Sequence, residues 1–503
     1  MPLVRSPGAA ARLRGVLGVR ARIVAAVLVL AVALTVGALV LTTGTRPAAE
    51  RRADTTVQVS AGTVLGEFDN PARYQNQTGP NSHLGPRDLD LVDGLDVQLA
   101  RIWALPRGYY DPRSHRYDFD FAGTEGSSTY RYFDQVSGYS RRMMLNLGEC
   151  APELMNLDHP QECRRVLRDG LAAYKKRYPS IRYVELFNEP DKTWDVPDGH
   201  WKGLSVHDYY EWYRIGYSIV NEINHDLHPK IPLRIGGPVT ASFDQDFLRG
   251  FLDRYAEDRD PDKRLDFISY HEYKHAADPA AVGTEKLTVR KWLEARDLGP
   301  ETPVFVTEYG VFPGDAHGRS MSDDLLVQAA AMQTLAYYYV NSGMDAELHW
   351  VFQHPDNPRK SMFAETDGEV HPYFNLVRMQ SMMKSRRVAV TSDGLSPAGL
   401  GVNATATADD GGVAVLATNY QWITGRTTQD VSLAIDLPRG LANRRLHLDR
   451  YLIDSTTSND AHDPASSGLQ RVERRTVDAG TTVRTTFGLE PNALSLVVLT
   501  PTG

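Results

Sequence analysis

The sequence predicts an α/β architecture: a (β/α)8 TIM-type barrel followed by a C-terminal β-sandwich, with a hydrophobic helix ahead of both. Three observations carry this. Between about residues 60 and 386, eight short apolar runs alternate with helical stretches, the rhythm of a closed parallel barrel. After about residue 388 helical periodicity gives way to short alternating runs separated by Gly, Asn, Asp and Ser, the texture of an antiparallel sandwich. The first apolar run, Thr63–Phe68, is followed by Asp69-Asn70-Pro71 and not by the Gly-rich phosphate turn that usually opens a doubly wound sheet.

Composition narrows the class. The 503 residues are 42% hydrophobic and 23% charged, with Gly 40 and Pro 29, which excludes collagen-like and low-complexity chains. Lys+Arg 55 against Asp+Glu 63 gives a net charge of −8. With no long basic block, no nucleic-acid groove is expected. Two cysteines, Cys150 and Cys163, exclude a disulfide-rich scaffold and a four-Cys zinc site.

The elements follow in chain order. Residues 1–22 carry Arg5, Arg12, Arg14, Arg20 and Arg22 and no acid, and Ile23–Leu41 runs uncharged. At 1.5 Å per residue such a run spans a bilayer core of roughly 30 Å, and the arginine flank favours an N-in orientation. Its length favours a retained anchor over a cleaved signal, whose apolar region is shorter; the cleavage candidate near Pro47-Ala48-Ala49 is weak. Either way residues 1–45 direct the rest of the chain out of the cytoplasm, and 46–59 read as a linker. Export permits a Cys150–Cys163 bridge, the alternative being two buried thiols. Asn76-Gln77-Thr78 and Asn403-Ala404-Thr405 match the glycosylation sequon, relevant only in a eukaryotic secretory host.

The barrel is expected over 60–386. Its strands are Thr63–Phe68, Val97–Trp103, Arg142–Leu147, Tyr183–Phe187, Leu233–Gly236, Phe267–Tyr270, Val304–Thr307 and Glu347–Phe352. Helical patterns lie at Gln161–Tyr178, Val206–Leu227, Gln245–Glu257, Ala280–Ala295 and Leu325–Ser342, the last fitting a single apolar face only loosely. The sandwich, 387–503, has strands at Val413–Thr418, Val431–Leu437, Leu446–Ile453, Val483–Phe487 and Leu494–Leu499.

A barrel presents its site at the C-terminal ends of its strands. Strand 4, YVELF, closes with Asn188-Glu189-Pro190-Asp191, and strand 7, PVFVT, closes with Glu308-Tyr309-Gly310. An apolar strand has no folding reason to end in a carboxylate. Carboxyls from opposite sides of a barrel can face each other across a sugar, one protonating the leaving oxygen and the other attacking carbon or activating water. A gap of about 5–5.5 Å would mean retention, and roughly 6.5–9.5 Å inversion.

With these motifs in view, the chain resembles a clan A glycoside hydrolase, most closely family 39, the family of β-xylosidases and α-L-iduronidases. The resembling segments are Arg101-Ile102-Trp103 at strand 2, Tyr117-Asp118-Phe119, Phe133-Asp134, LNLGECAPEL at 145–154, ELFNEPD at 185–191 with Trp194, Gly236-Gly237-Pro238, FISYHEY at 267–273, Val306-Thr307-Glu308, HWVF at 349–352 and RYLIDSTTSN at 450–459. The resemblance implies a retaining hydrolase of O-glycosyl bonds that needs no cofactor, with Glu189 as acid/base and Glu308 as nucleophile. Glu189 must then hold a proton, so a raised pKa is expected, and Glu308 must stay ionised. Arg101 is the expected cation beside Glu308 and Tyr273 its hydrogen-bond donor. Asn188 would bind the hydroxyl next to the anomeric carbon, His271 would hold another hydroxyl or order the acid, and Trp350, Trp103 and Trp194 would stack on sugar faces. The bland readings are a surface ion pair for Arg101, a packed histidine for His271, a turn cap for Asn188 and plain core for the tryptophans.

The chain departs from the family at Trp103, where His is frequent, at Tyr309-Gly310 in place of Trp-Asn, and at Asn146, Glu149 and Cys150 in strand 3. These positions are expected to line the sugar pocket, so the sugar is not carried over. His271-Glu272-Tyr273-Lys274-His275 also matches the His-Glu-x-x-His zinc signature, which requires both histidines on one helical turn and a third ligand; it follows a β-run instead. The expectation is an exported, membrane-tethered glycosidase acting on extracellular or cell-envelope glycans, with no obligate protein partner. Its alternatives are a non-catalytic carbohydrate-binding barrel and, more remotely, a zinc hydrolase.

Overall fold

The computed structural model describes residues 51–77, 83–119, 130–196, 199–201, 203–311, 325–354, 361–422 and 427–502. The apolar run 23–41 and the cleavage candidate lie outside them. Among the described residues no helix is long and apolar enough to cross a membrane.

Eight parallel strands close into a barrel: Tyr74–Asn76, Leu99–Ala104, Met143–Leu147, Ile181–Leu186, Arg234–Thr240, Phe267–Glu272, Val304–Tyr309 and Ala346–His349, here strands 1 to 8, with strand 8 returning to strand 1 at His349 and Gln75. The period of two along each strand builds the interior in layers. Leu99, Met144, Phe267, Phe305, Ala346 and Leu348 form an apolar plug at the N-terminal end. Two residues further along, Arg101, Asn146, Glu185, Ser269 and Thr307 form a fully buried polar layer. The same alternation sets Trp103 and His271 above it, at the mouth.

The connecting helices Gln161–Arg177, Val206–Leu227, Gln245–Glu257 and Leu325–Ser342 follow the sequence pattern, and the expected Ala280–Ala295 helix divides into a 3-10 turn, Pro279–Thr284, and a helix, Glu285–Glu294. Ser205 and Asp244 cap two of these by accepting backbone N–H groups of the first turn, as N-cap residues do. Pro86–Asp93, Tyr130–Tyr139 and Pro372–Ser381 are helices the pattern did not show.

The first strand is a correction. Thr63–Phe68 does not open the barrel, and residues 51–59 are not a tether. Arg51–Glu67 is one long strand that lies between Arg386–Ser392 and Thr427–Asp436 in the C-terminal sheet. Its alternating Val57, Val59 and Ala61 are buried in that sheet's core, which is why the segment is ordered. The true barrel strand 1 is only three residues, too short for a sequence period to reveal.

That sheet has nine strands in one hydrogen-bonded order, beginning with Gln470–Asp478 and ending with Thr482–Leu489. The two ends meet: Arg475 Nη2 lies 3.3 Å from Thr485 Oγ1, and the Arg450 guanidinium sits 5.4 Å from the Phe487 ring centre. The sheet is therefore folded over on itself around one core, so the expected sandwich is built from a single continuous sheet.

Cys150 and Cys163 form a disulfide, with S–S 2.08 Å. Both sequon asparagines are fully buried. Asn76 donates to the Thr307 carbonyl at 2.9 Å and Asn403 to Thr334 Oγ1 at 2.9 Å, so neither can take a glycan in the folded protein.

Candidate active site

The turn after strand 4 is bent to aim Glu189. Phe187 and Glu189 take left-handed backbone angles, φ 66° and 49°, and Val239, whose carbonyl accepts the Glu189 N–H at 3.1 Å, has φ 60°. Such angles are strained for non-glycine residues, above all for a β-branched valine, and persist only where surroundings enforce them. The enforcing bonds are visible. Asn146 Nδ2 donates to the Phe187 carbonyl at 2.5 Å, and Glu149 Oε1 accepts the Asn188 N–H at 3.1 Å. The strand 3 departures Asn146 and Glu149 thus brace this turn, and Cys150 is held in the disulfide. Tyr309, beside Glu308, turns to His349 at 3.0 Å and is fully buried. The expectation that these positions contact sugar is corrected for Asn146, Cys150 and Tyr309.

The two expected carboxylates come together. A carboxylate oxygen of Glu189, a nitrogen of His271 and a carboxylate oxygen of Glu308 all lie within 4.8 Å of one another. His271 bridges the pair: Nδ1 is 2.9 Å from Glu189 Oε1, and Nε2 is 3.4 Å from Glu308 Oε1 without hydrogen-bond alignment. Lys192 Nζ lies 3.5 Å from Glu189 Oε2. Burial alone would raise the Glu189 carboxyl, but the hydrogen bond and charge of His271, with Lys192 behind, hold it below the ordinary glutamate value. This corrects the expected upward shift.

Glu308 is fixed from two sides. Arg101 Nη1 donates to Oε1 at 2.5 Å, and the Tyr273 hydroxyl donates to Oε2 at 2.7 Å. Arg101 has no exposed surface. Its Nε donates to Glu185 Oε2 at 2.6 Å, its Nη2 to Asn188 Oδ1 at 3.0 Å, and Nη1 lies 3.4 Å from Asn76 Oδ1. The surface-pair reading of Arg101 fails. Because the Asn188 oxygen is occupied by Arg101, its NH2 group is the end left to meet a hydroxyl. Burial and the charge of Glu308 keep the Tyr273 hydroxyl well above its ordinary pKa, so it remains a donor.

Glu185, Asn76 and Lys192 belong to this network and were not expected there from sequence, where Asn76 read only as a sequon. A signal existed for Glu185: a carboxylate inside the apolar run YVELF cannot be buried without a cation. Among the tryptophans, Trp103 packs under the Arg101 guanidinium at 4.6 Å and meets Trp350 edge-on at 5.4 Å. Trp350 is partly exposed at the mouth. The Trp194 side chain lies outside the described residues.

The zinc reading fails on geometry. His271 and His275 are not on one helical turn. His271 closes strand 6 between the two glutamates, whereas His275 lies in the following loop with Nδ1 3.0 Å from Asp278.

A closed (β/α)8 barrel fused to a folded-over β-sheet, carrying paired carboxylates on strands 4 and 7, defines the architectural class. No known protein-family profile and no curated protein matches the chain. Solved structures do. A glucosidase from Croceicoccus marinus is 16% identical with a TM-score of 0.66, covering 90% of this chain and 100% of its own. A monomeric β-xylosidase from Caulobacter crescentus CB15 is 16% identical, TM-score 0.66, with the same coverages of 90% and 100%. The GH39 enzyme from Xanthomonas axonopodis pv. citri is 15% identical, TM-score 0.65, covering 91% and 99%. At such identity the likeness establishes the fold, and it is the fold of the family that the sequence motifs resemble.

Proposed function

We propose that the protein is a retaining glycoside hydrolase acting on extracellular or cell-envelope glycans. One observation carries the reading: one carboxylate oxygen of Glu189, one of Glu308 and a His271 nitrogen lie within 4.8 Å of one another, an approach compatible with the retaining arrangement, whose carboxyls stand about 5–5.5 Å apart. The solved structures of this fold include a glucosidase and a β-xylosidase, which supports glycosidic bonds as the substrate class.

Glu308, held in place by Arg101 and Tyr273, attacks the anomeric carbon. Glu189 gives a proton to the leaving oxygen, and a glycosyl-enzyme ester forms on Glu308. Glu189 then takes a proton from water, which opens that ester with a second inversion. His271 and Lys192 favour the ionised form of Glu189. A sugar seated over the pair excludes water. With water excluded, burial favours the neutral, proton-holding carboxyl of Glu189, which stays 2.9 Å from His271 Nδ1. His271 thus orders the acid. The Asn188 amide meets the neighbouring hydroxyl.

Action outside the cytoplasm is supported by the arginine-flanked apolar run at 23–41 and by the Cys150–Cys163 disulfide, which persists in oxidising compartments. The same run is the proposed membrane tether.

The test is turnover of aryl glycosides with product stereochemistry read by NMR. Glu308→Gln is expected to abolish turnover. Glu189→Gln should lower kcat by roughly 10²–10⁴ on poor leaving groups and much less on leaving groups that need no proton. Net inversion, or an active Glu308→Gln enzyme, would sink the proposal. A wild type inactive on every glycoside, with glycan binding that survives both changes, would establish the binding-only barrel.

A further inference from the structure

The zinc-like sequence His271-Glu272-Tyr273-Lys274-His275 divides between two clusters. His271 belongs to the glutamate pair above. Glu272 and His275 turn the other way and meet Glu285, the first residue of the helix Glu285–Glu294. One ligand-type atom from each of Glu272, His275 and Glu285 lies within 4.8 Å of the other two. Glu272 and Glu285 are buried, at 1% and 3% exposure.

Each of these side chains is gripped by an outer partner. Tyr270 OH donates to Glu285 Oε2 at 2.8 Å, while Glu285 Oε1 is buried with no partner among the described residues. Asp278 Oδ1 lies 3.0 Å from His275 Nδ1; with that nitrogen donating to a carboxylate, the imidazole lone pair is on Nε2. The backbone N–H of Lys274 donates to Glu272 Oε1 at 2.5 Å. Ligands held by second partners, and above all a histidine backed by a carboxylate, are the outer-shell arrangement that orients metal ligands. Two buried carboxylates facing each other without a cation are costly.

We propose that Glu272, His275 and Glu285 bind one divalent transition-metal ion of the zinc or manganese kind, with Asp278 and Tyr270 as outer supports. Two carboxylates and one imidazole are a borderline N/O donor set suited to such ions. The site is a separate cluster from the glutamate pair, whose Glu308 Oε1 already carries the Arg101 guanidinium. Its role is to clamp the loop between strand 6 and the helix at 285. That loop begins at Tyr273, which holds Glu308, and its Ala276 carbonyl accepts from Tyr420 of the C-terminal sheet at 2.6 Å.

The test is metal content and thermal shift of the full-length protein after incubation with ZnCl2 or MnCl2 and exhaustive dialysis. Wild type should retain close to one equivalent of one of these ions and melt at a higher temperature with it than without, since a ligand bound only by the folded state raises the melting temperature. Glu285→Gln and His275→Ala should retain neither ion and lose the shift; His275 is partly exposed, so its variant is the one least prone to misfolding. Glu308→Gln should keep both. No retained ion in wild type, equal retention in all variants, or loss in Glu308→Gln alone would overturn the proposal. None of these readings uses glycoside turnover, so they stand or fall apart from the assignment of the glutamate pair.

Discussion

Arg101 shows how one side chain can be both core and chemistry. Its guanidinium ends the charge of Glu185 and Glu308 while holding Asn188, so its burial is tolerable only because every partner is present. Tyr273 has a narrower task. It touches Glu308 by one hydrogen bond of 2.7 Å, a bond to a charged group that contributes about 1.5–3 kcal/mol. If that bond holds the proposed nucleophile in line, Tyr273→Phe lowers kcat by about 10- to 100-fold with little change in KM or melting temperature; an unchanged kcat would remove Tyr273 from the proposed machinery. His349 titrates for a different reason. It is fully buried, with Nδ1 2.9 Å from the Tyr373 hydroxyl and Nε2 2.9 Å from Gln380 Oε1, partners that a neutral ring satisfies. Burial lowers its pKa from 6.5 to about 3. A depressed folded-state pKa means that the unfolded chain binds the proton first, so the stability contribution is complete above about 6.5 and is lost as pH falls toward about 3. Between pH 7 and pH 5 this group alone accounts for about 2 kcal/mol of lost stability. In urea titrations at the two pH values, His349→Gln should show that much less acid sensitivity than wild type; equal sensitivity would show that the ring is not held neutral.

Elements succeed or fail in the sequence according to how much of their burial is local. Val206–Leu227 and Gln245–Glu257 have capping residues and one apolar face, and their bounds follow from the chain itself. Glu189 and Glu308 were legible for the same local reason: each is a carboxylate closing an apolar strand. What stayed hidden is non-local. Leu325–Ser342 is buried almost all round, so no single face stands out, because barrel and sheet cover opposite sides of it. The Asn76 and Asn403 amides read as surface sequons but serve as buried donors to distant groups. The same blindness placed a tether over 46–59 and a barrel strand at 63–68, since a strand buried by residues more than 300 positions away looks like any polar alternating segment. The practical consequence is sharp. Arg51–Glu67 is an interior strand, with Val57, Val59 and Ala61 in the sheet core. A fragment beginning at Gly62 loses those side chains and exposes two unpaired strand edges, which invite aggregation. It should be insoluble or melt without cooperativity, whereas a fragment beginning at Arg51 should melt sharply. A stable, soluble 62–503 fragment would show that the strand is dispensable.

At the scale of the whole molecule the two layers share side chains of the same strands. In Gly412–Tyr420, Val413, Val415 and Ala417 enter the sheet core, and the intervening Ala414, Leu416 and Tyr420 enter the barrel's core. The terminal strand repeats this, with Val497 and Leu499 on one side and Leu494, Leu496 and Val498 on the other. Buried polar bonds fix the register between the layers: Asn375 donates to the Ser458 and Ser467 carbonyls at 2.9 and 2.6 Å, and the Asn403 amide donates to Thr334 Oγ1 at 2.9 Å. The segment 450–459, one of those that resemble family 39, thus contributes Ser458 to this junction. Neither layer can leave without uncovering apolar surface and orphaning buried amides of the other. Barrel and sheet should therefore unfold together, with a single calorimetric transition whose van't Hoff and calorimetric enthalpies agree. Leu416→Ala opens a cavity at the junction and should cost about 2–5 kcal/mol. Because the junction is common to both layers, the variant should lower the one melting temperature as a unit and leave kcat at low temperature unchanged. Two resolved transitions in wild type, or a Leu416→Ala shift confined to one of them, would mean that the sheet is an appended module and that the barrel holds the glutamate pair without it.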